Sequence, residues 1–164
     1  MSEADPAAAR AKTSGVLHSL VTMRLIRLFV LLRRAGTLTQ RRRFDLSEIE
    51  WRIMTQLGDT APLSLNSLAE GLTQDRGQLS RAVKAMVARG LVTRERKPGG
   101  PEVEIGLSAE GRALHARMVD WVVERDARLT EGIPADDIAA LWRVADTMIG
   151  RAEAMLEEEQ RAQS

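Results

Sequence analysis

Leu17, Leu20, Val21, Arg24, Leu25, Leu28, Leu31 and Leu32 recur at steps of three and four, which predicts one long helix over about 13–38, weakened at its end by Gly36 and Thr39. A helix of about 25 residues is about 37 Å long. That exceeds what a small domain covers, so part of its apolar face is expected to pack against something outside the fold. Ser47 followed by Glu50 is a capping-box pattern. It opens a second helix whose buried stripe is expected at Ile49, Ile53 and Leu57, closed by Gly58.

Ser64 is a suitable N-cap for a short third helix carrying Leu65, Leu68 and Leu72. After Thr73 and Gln74, Asp75 caps a longer one in which Leu79, Ala82, Val83, Met86 and Val87 repeat until Gly90 ends it. A short helix, a three-residue turn and a longer helix make a helix-turn-helix. The period then changes to alternation over 91–96 and 102–107, on either side of Lys97, Pro98, Gly99, Gly100 and Pro101. This predicts a β-hairpin, placed as a wing directly after the recognition helix. Ser108 caps a helix with Leu114, Met118, Trp121, Val122 and Leu129, and Pro134 opens a last one with Ile138, Leu141, Trp142, Ala145, Met148, Ile149, Ala152, Met155 and Leu156. Trp121 and Trp142 are expected in the core. With the first helix these form more apolar surface than the winged domain can cover, and the expected partner is a second copy.

The fold class is therefore mostly α: a winged helix-turn-helix with N- and C-terminal helices. The expected division is a disordered N-terminus at 1–13, a dimerisation helix at 14–45, the winged domain at 46–107 and dimerisation helices at 108–164. Composition agrees, because the 164 residues hold few aromatics and are 44% hydrophobic against 29% charged. Without any cysteine the chain has no disulfide framework, thiolate metal site or cysteine nucleophile. His18 and His115 are the only histidines and lack a metal-spaced partner, and no Gly-rich phosphate loop is present. No catalytic residue, metal or cofactor is expected. The run from Val16 to Leu32 contains His18, Arg24 and Arg27 and is too short to span a bilayer. With no signal-peptide pattern at the N-terminus, a cytoplasmic protein is expected.

Net charge is only +1, but its distribution is uneven. From Arg24 to Arg43 there are seven arginines and no acid; from Leu72 to Lys97 seven basic residues face two acids; from Leu107 to Ser164 twelve acids face seven arginines. Such asymmetry points to a polyanion against the front and middle of the chain. On the recognition helix Arg76, Gln78 and Arg81 suit base edges, with Gly77 beside them near the end that enters a major groove. Gln74, Ser80, Lys84, Arg94, Arg96 and Lys97 suit phosphates. Arg41, Arg42 and Arg43 fit a DNA backbone or a solvated turn equally well.

The segments 46–54 (Leu46 to Met54), Leu68-Ala69, 75–83 (Asp75 to Val83), Arg89-Gly90-Leu91-Val92 and 107–112 (Leu107 to Arg112) together resemble the MarR (multiple antibiotic resistance regulator) family of bacterial repressors. The resemblance implies a homodimer held by the first and last two helices, binding of double-stranded DNA at a palindromic operator, and release by a small anionic or aromatic ligand. It would place that ligand between the dimerisation helices and the winged domain, near His18, Arg24, Trp51 and Met54, whose alternative reading is packing and salt bridging. Where the family carries Asp-Arg-Arg at the wing tip, this chain has Gly99, Gly100 and Pro101, which removes the arginine that enters the minor groove. The reading is a sequence-specific, ligand-responsive repressor; the alternative is a winged-helix protein with weakened DNA binding that works through protein contacts.

Overall fold

A computed structural model describes residues 16–17, 19–96 and 103–163. Among them are six helices and three strands in the order α1 (Val21–Phe44), α2 (Glu48–Thr60), β1 (Leu63–Ser64), α3 (Leu65–Leu72), α4 (Arg76–Ala88), β2 (Val92–Arg96), β3 (Val103–Leu107), α5 (Ala109–Thr130) and α6 (Ala135–Ala162). The chain divides into two units, one reaching Met118 and one starting at Val119. The expectation of a mostly helical winged helix-turn-helix is met.

In the first unit the caps act as read. Ser47 and Glu50 form a reciprocal capping box, Ser64 Oγ accepts from the Ser67 amide at 3.0 Å, and Asp75 Oδ1 accepts from the Gln78 amide at 2.8 Å. These acceptors satisfy amides that the first helical turn leaves without partners. At the other end of α4, Gly90 takes φ +71°. The Leu91 amide then reaches the Met86 carbonyl at 3.0 Å and the Gly90 amide the Val87 carbonyl at 2.9 Å, a Schellman closure.

The wing pairs Val92 with Leu107 through to Arg96 with Val103. A two-residue strand, β1, was not expected: Leu63 and Ser64 pair with Ile105 and Glu104, giving the order β1-β3-β2. Ile53, Met54, Leu57, Leu68, Leu79, Val83, Met86, Ile105, Leu114 and Met118 fill the core beneath these elements.

Two glycines act differently from expectation. Gly36 does not weaken α1, which continues to Phe44; it is one of only two buried residues there. Gly58 does not end α2, which runs to Thr60. A Cβ at Gly58 would sit inside contact distance of the His115 ring, so glycine admits a close helix crossing rather than a stop.

The second unit holds the rest of α5 and all of α6. The Arg125 guanidinium lies over the Trp121 ring, 4.9 Å from its centroid. No residue of α6 is buried. Trp142 is 66% exposed, which corrects its expected place in the core. Periodicity shows that a helix has an apolar face, and in α6 that face is exposed. The described residues contain no helix long and apolar enough to cross a membrane.

Candidate nucleic-acid interface

The recognition helix α4 has two chemically distinct sides. Leu79, Val83 and Met86 are buried, and Arg81 and Lys84 lie opposite them with Gly77, all exposed, at the 3.6-residue period. Arg76 and Gln78 are exposed on the flanks of the first turn, while Gln74 and Ser80 are half-buried. The Arg81 guanidinium extends back toward the helix start, with Nη1 3.7 Å from where a Gly77 Cβ would be. This direction follows the tilt of helical side chains toward the N-terminus. Arg94 and Arg96 are exposed on β2, on the edge of the sheet away from β1. Among the described residues none of Arg76, Arg81, Lys84, Arg94 and Arg96 has a hydrogen bond or ion pair, so five cations are available to a partner. Lys97 and the wing tip at Gly99, Gly100 and Pro101 lie outside the described residues.

The helix-turn-helix is anchored from α2 at the C-terminal end of each of its two helices, through residues the sequence reading did not assign. Arg52 donates to the Leu72 carbonyl, fastening the end of α3 where the chain turns with Thr73 at φ 50°. Arg89, at the end of α4, donates to Glu50 Oε1 at 2.9 Å and to the Asp45 carbonyl at 2.7 Å and carboxylate at 3.1 Å. Glu50 is thereby shared. Its Oε2 accepts from the Ser47 amide at 2.8 Å and hydroxyl at 2.7 Å. Burial pushes the Glu50 carboxyl up, but the Ser47 hydrogen bonds and the Arg89 charge outweigh it and hold the group below the ordinary glutamate range. Helix α4 is thus fixed at its far end while its N-terminal turn stays open. The signal in sequence was Glu50 itself, recognisable as a cap; that the same carboxylate also holds Arg89, 39 residues on, is a tertiary fact.

Of the four residues expected around a ligand, the three described ones, Arg24, Trp51 and Met54, are not brought together in one site. Met54 is 0% exposed, a core residue, because α2 turns its Ile53-Met54-Leu57 side inward and leaves Ile49 half-buried. Trp51 packs edge-to-face on Phe44, ring centroids 5.5 Å apart. Arg24 is exposed near the opposite end of α1, twenty residues from Phe44, or about 30 Å along the helix. His18 lies outside the described residues. An aromatic ring and cations do meet elsewhere, in an open groove of about 390 Å³ lined by Phe29, Val30, Arg33, Arg34, Thr37, Leu38 and Glu48. The described residues hold no cluster of three or more side chains suited to a metal ion.

Residues 44–100, which include α2 to β2, match the model of the MarR family. The match covers about a third of the chain. Similarity to solved structures extends beyond this segment. FabT of Streptococcus pneumoniae, crystallised in complex with DNA, is 17% identical with a TM-score of 0.72 over 82% of this chain and 96% of FabT. MepR, a transcription regulator of the Staphylococcus aureus multidrug efflux pump MepA, is 13% identical with a TM-score of 0.71 over 81% of this chain and 98% of its own. MarR of E. coli in its apo form is 21% identical with a TM-score of 0.62, over 76% and 96%. At these identities the likeness establishes the winged-helix architecture with its flanking helices. No curated protein matches the sequence.

Proposed function

We propose that this chain is a transcriptional regulator that binds double-stranded DNA sequence-specifically, as a homodimer on a palindromic operator, and acts as a ligand-responsive repressor in the cytoplasm. The carrying observation is the outer face of α4, where Arg76, Arg81 and Lys84 stand exposed and uncommitted around the recognition turn. Arginine pairs bidentately with guanine and glutamine with adenine, so Arg76, Gln78 and Arg81 read base edges. Lys84, Gln74, Ser80 and the β2 arginines hold the backbone. The DNA complex of FabT, which shares the fold, supports the same use of the domain.

The homodimer is supported by apolar surface that each unit leaves open. Leu25, Leu28, Phe29 and Leu31 of α1 are exposed, and so are Leu141, Trp142, Ile149, Met155 and Leu156 of α6. Contiguous apolar faces of this kind mark association surfaces. An aromatic carboxylate fits the groove at Phe29 and Arg34, where a ring wall stands beside a guanidinium.

Selection from a randomised duplex pool tests the reading. It is expected to enrich an inverted repeat with half-sites about one helical turn, roughly 10 base pairs, apart. Failure to enrich any motif would contradict it and favour a winged-helix protein acting through protein contacts.

A further inference from the structure

Arg41, Arg42 and Arg43 end α1, where three cations in a last helical turn complement the helix dipole whatever else they do. The structure separates them. The Arg43 guanidinium lies over the Phe44 ring, 5.9 Å from its centroid. Arg41 instead lines a cleft of about 370 Å³ together with Ser47, Glu48, Arg52, Gln74 and Gln78. Arg42 is not among the residues lining it. The cleft therefore joins the end of α1 to the turn and the first turn of the recognition helix, which supply Gln74 and Gln78.

The charges in the cleft are already divided. The Glu48 carboxylate holds Arg33 at 3.0 and 3.3 Å. One Arg52 nitrogen is committed to the Leu72 carbonyl. Arg41 has no hydrogen bond or ion pair among the described residues and is exposed. What remains is the Arg41 guanidinium beside the Gln74 carboxamide, a donor set suited to the oxygens of a phosphodiester.

We infer that this cleft seats one phosphate of the DNA backbone in each half-site, with Arg41 as its cation and Gln74 as the neighbouring donor, while Gln78 on its rim stays turned to the base edges. The inference rests on the proposed reading of α4 as a DNA-recognition helix and extends the contact to α1. A helix whose N-terminal turn enters a major groove has a phosphate strand passing beside that turn, and the cleft lies on its Gln78 flank. The contact fixes register and carries no base preference.

The test compares wild type, Arg41→Ala, Arg41→Lys, Arg42→Ala and the double variant Arg76→Ala plus Arg81→Ala on one selected and one unrelated duplex, by anisotropy over a range of salt concentrations. Arg41→Ala is expected to weaken binding about tenfold on every sequence tested, and to lower the slope of log K against log salt by about one for each half-site. Arg41→Lys keeps the slope while losing part of the affinity, and Arg42→Ala matches wild type. Arg41→Ala binding like wild type, or Arg42→Ala losing as much, would overturn the inference while the Arg76/Arg81 loss leaves the reading of α4 intact. Wild type that binds no duplex would overturn both.

Discussion

Gly111, buried in the first turn of α5, lies against Leu91 and Leu107 at the two ends of the wing. A Cβ placed there would overlap the Leu91 carbonyl oxygen, with the Leu91 carbonyl carbon at 3.0 Å and Leu107 Cβ at 3.4 Å. Backbone cannot rotate away as a flexible side-chain end does. Leu91 follows directly on α4, and its carbonyl accepts the Ser108 amide at 3.1 Å, while Ser108 Oγ caps the Gly111 amide at 2.9 Å. Gly111→Ala therefore forces α5 away from the α4–β2 junction. Alanine gains about 1 kcal/mol of helix propensity, overpacking costs about 3 kcal/mol, and weakening the two hydrogen bonds costs about 1 kcal/mol in total. The net is a loss of about 3 kcal/mol, or roughly 9 °C of melting temperature for a chain of this size.

Gly71→Ala is the matched control, since the nearest atoms, in the Gln56 side chain, are at an ordinary 3.5 Å. It is expected within about 1 kcal/mol of wild type, on the stabilising side. Urea and thermal unfolding followed by circular dichroism at one fixed protein concentration measure both. A Gly111→Ala protein as stable as wild type, or no less stable than Gly71→Ala, would refute the close approach.

Glu50 is held below the ordinary glutamate range, so its stabilising contribution is complete above the unfolded-state value and is lost as pH falls through the lower folded-state value. Stability curves should therefore decline in acid below about pH 4.3, and Glu50→Gln should lower stability near neutrality while flattening that decline; an unchanged acid limb would contradict the anchoring of α4. Met54→Ala is expected to cost about 3 kcal/mol, near 10 °C, as a cavity in the core rather than a lost ligand contact, read by thermal unfolding. Leu141→Glu with Trp142→Glu is expected to shift the mass by light scattering from dimer to monomer, since each buried side chain of this size contributes about 2 kcal/mol to association; an unchanged dimer would place the interface elsewhere.

Much of the fold was legible because short-range chemistry specifies it. Ser47, Ser64 and Asp75 announce their helix starts through their own side chains, and the change from helical to alternating period after Gly90 announces the wing. What was not legible depends on distant partners. Gly58 resembles a helix stop until the His115 ring is placed against it, 57 residues on. Leu63–Ser64 is too short to show alternation, and becomes a strand only because β3 offers an edge. The buried stripe was read as Ile49, Ile53 and Leu57, which leaves Met54 off it, whereas the core takes Met54 with Ile53 and Leu57 and leaves Ile49 half-buried.

The interface divides in the same way. The exposed side of α4 was readable from one helix's periodicity, but that Arg41, and not Arg42, lines a cleft with Gln74 and Gln78 depends on where α1 ends. The holds of Arg52 on Leu72 and of Arg89 on Glu50 likewise span 20 and 39 residues and leave no local trace.

The central claim is that the open face of α4 reads DNA. The most direct measurement is the anisotropy of a labelled selected duplex titrated with wild type and with Arg76→Ala plus Arg81→Ala, at two salt concentrations, against an unrelated duplex of the same length. The account predicts tight, salt-dependent binding by wild type that favours the selected duplex at least about a thousandfold. It also predicts a double variant that folds normally but binds both duplexes with the same weak affinity. Wild type that does not distinguish the two duplexes, or a double variant that retains the preference, would contradict it.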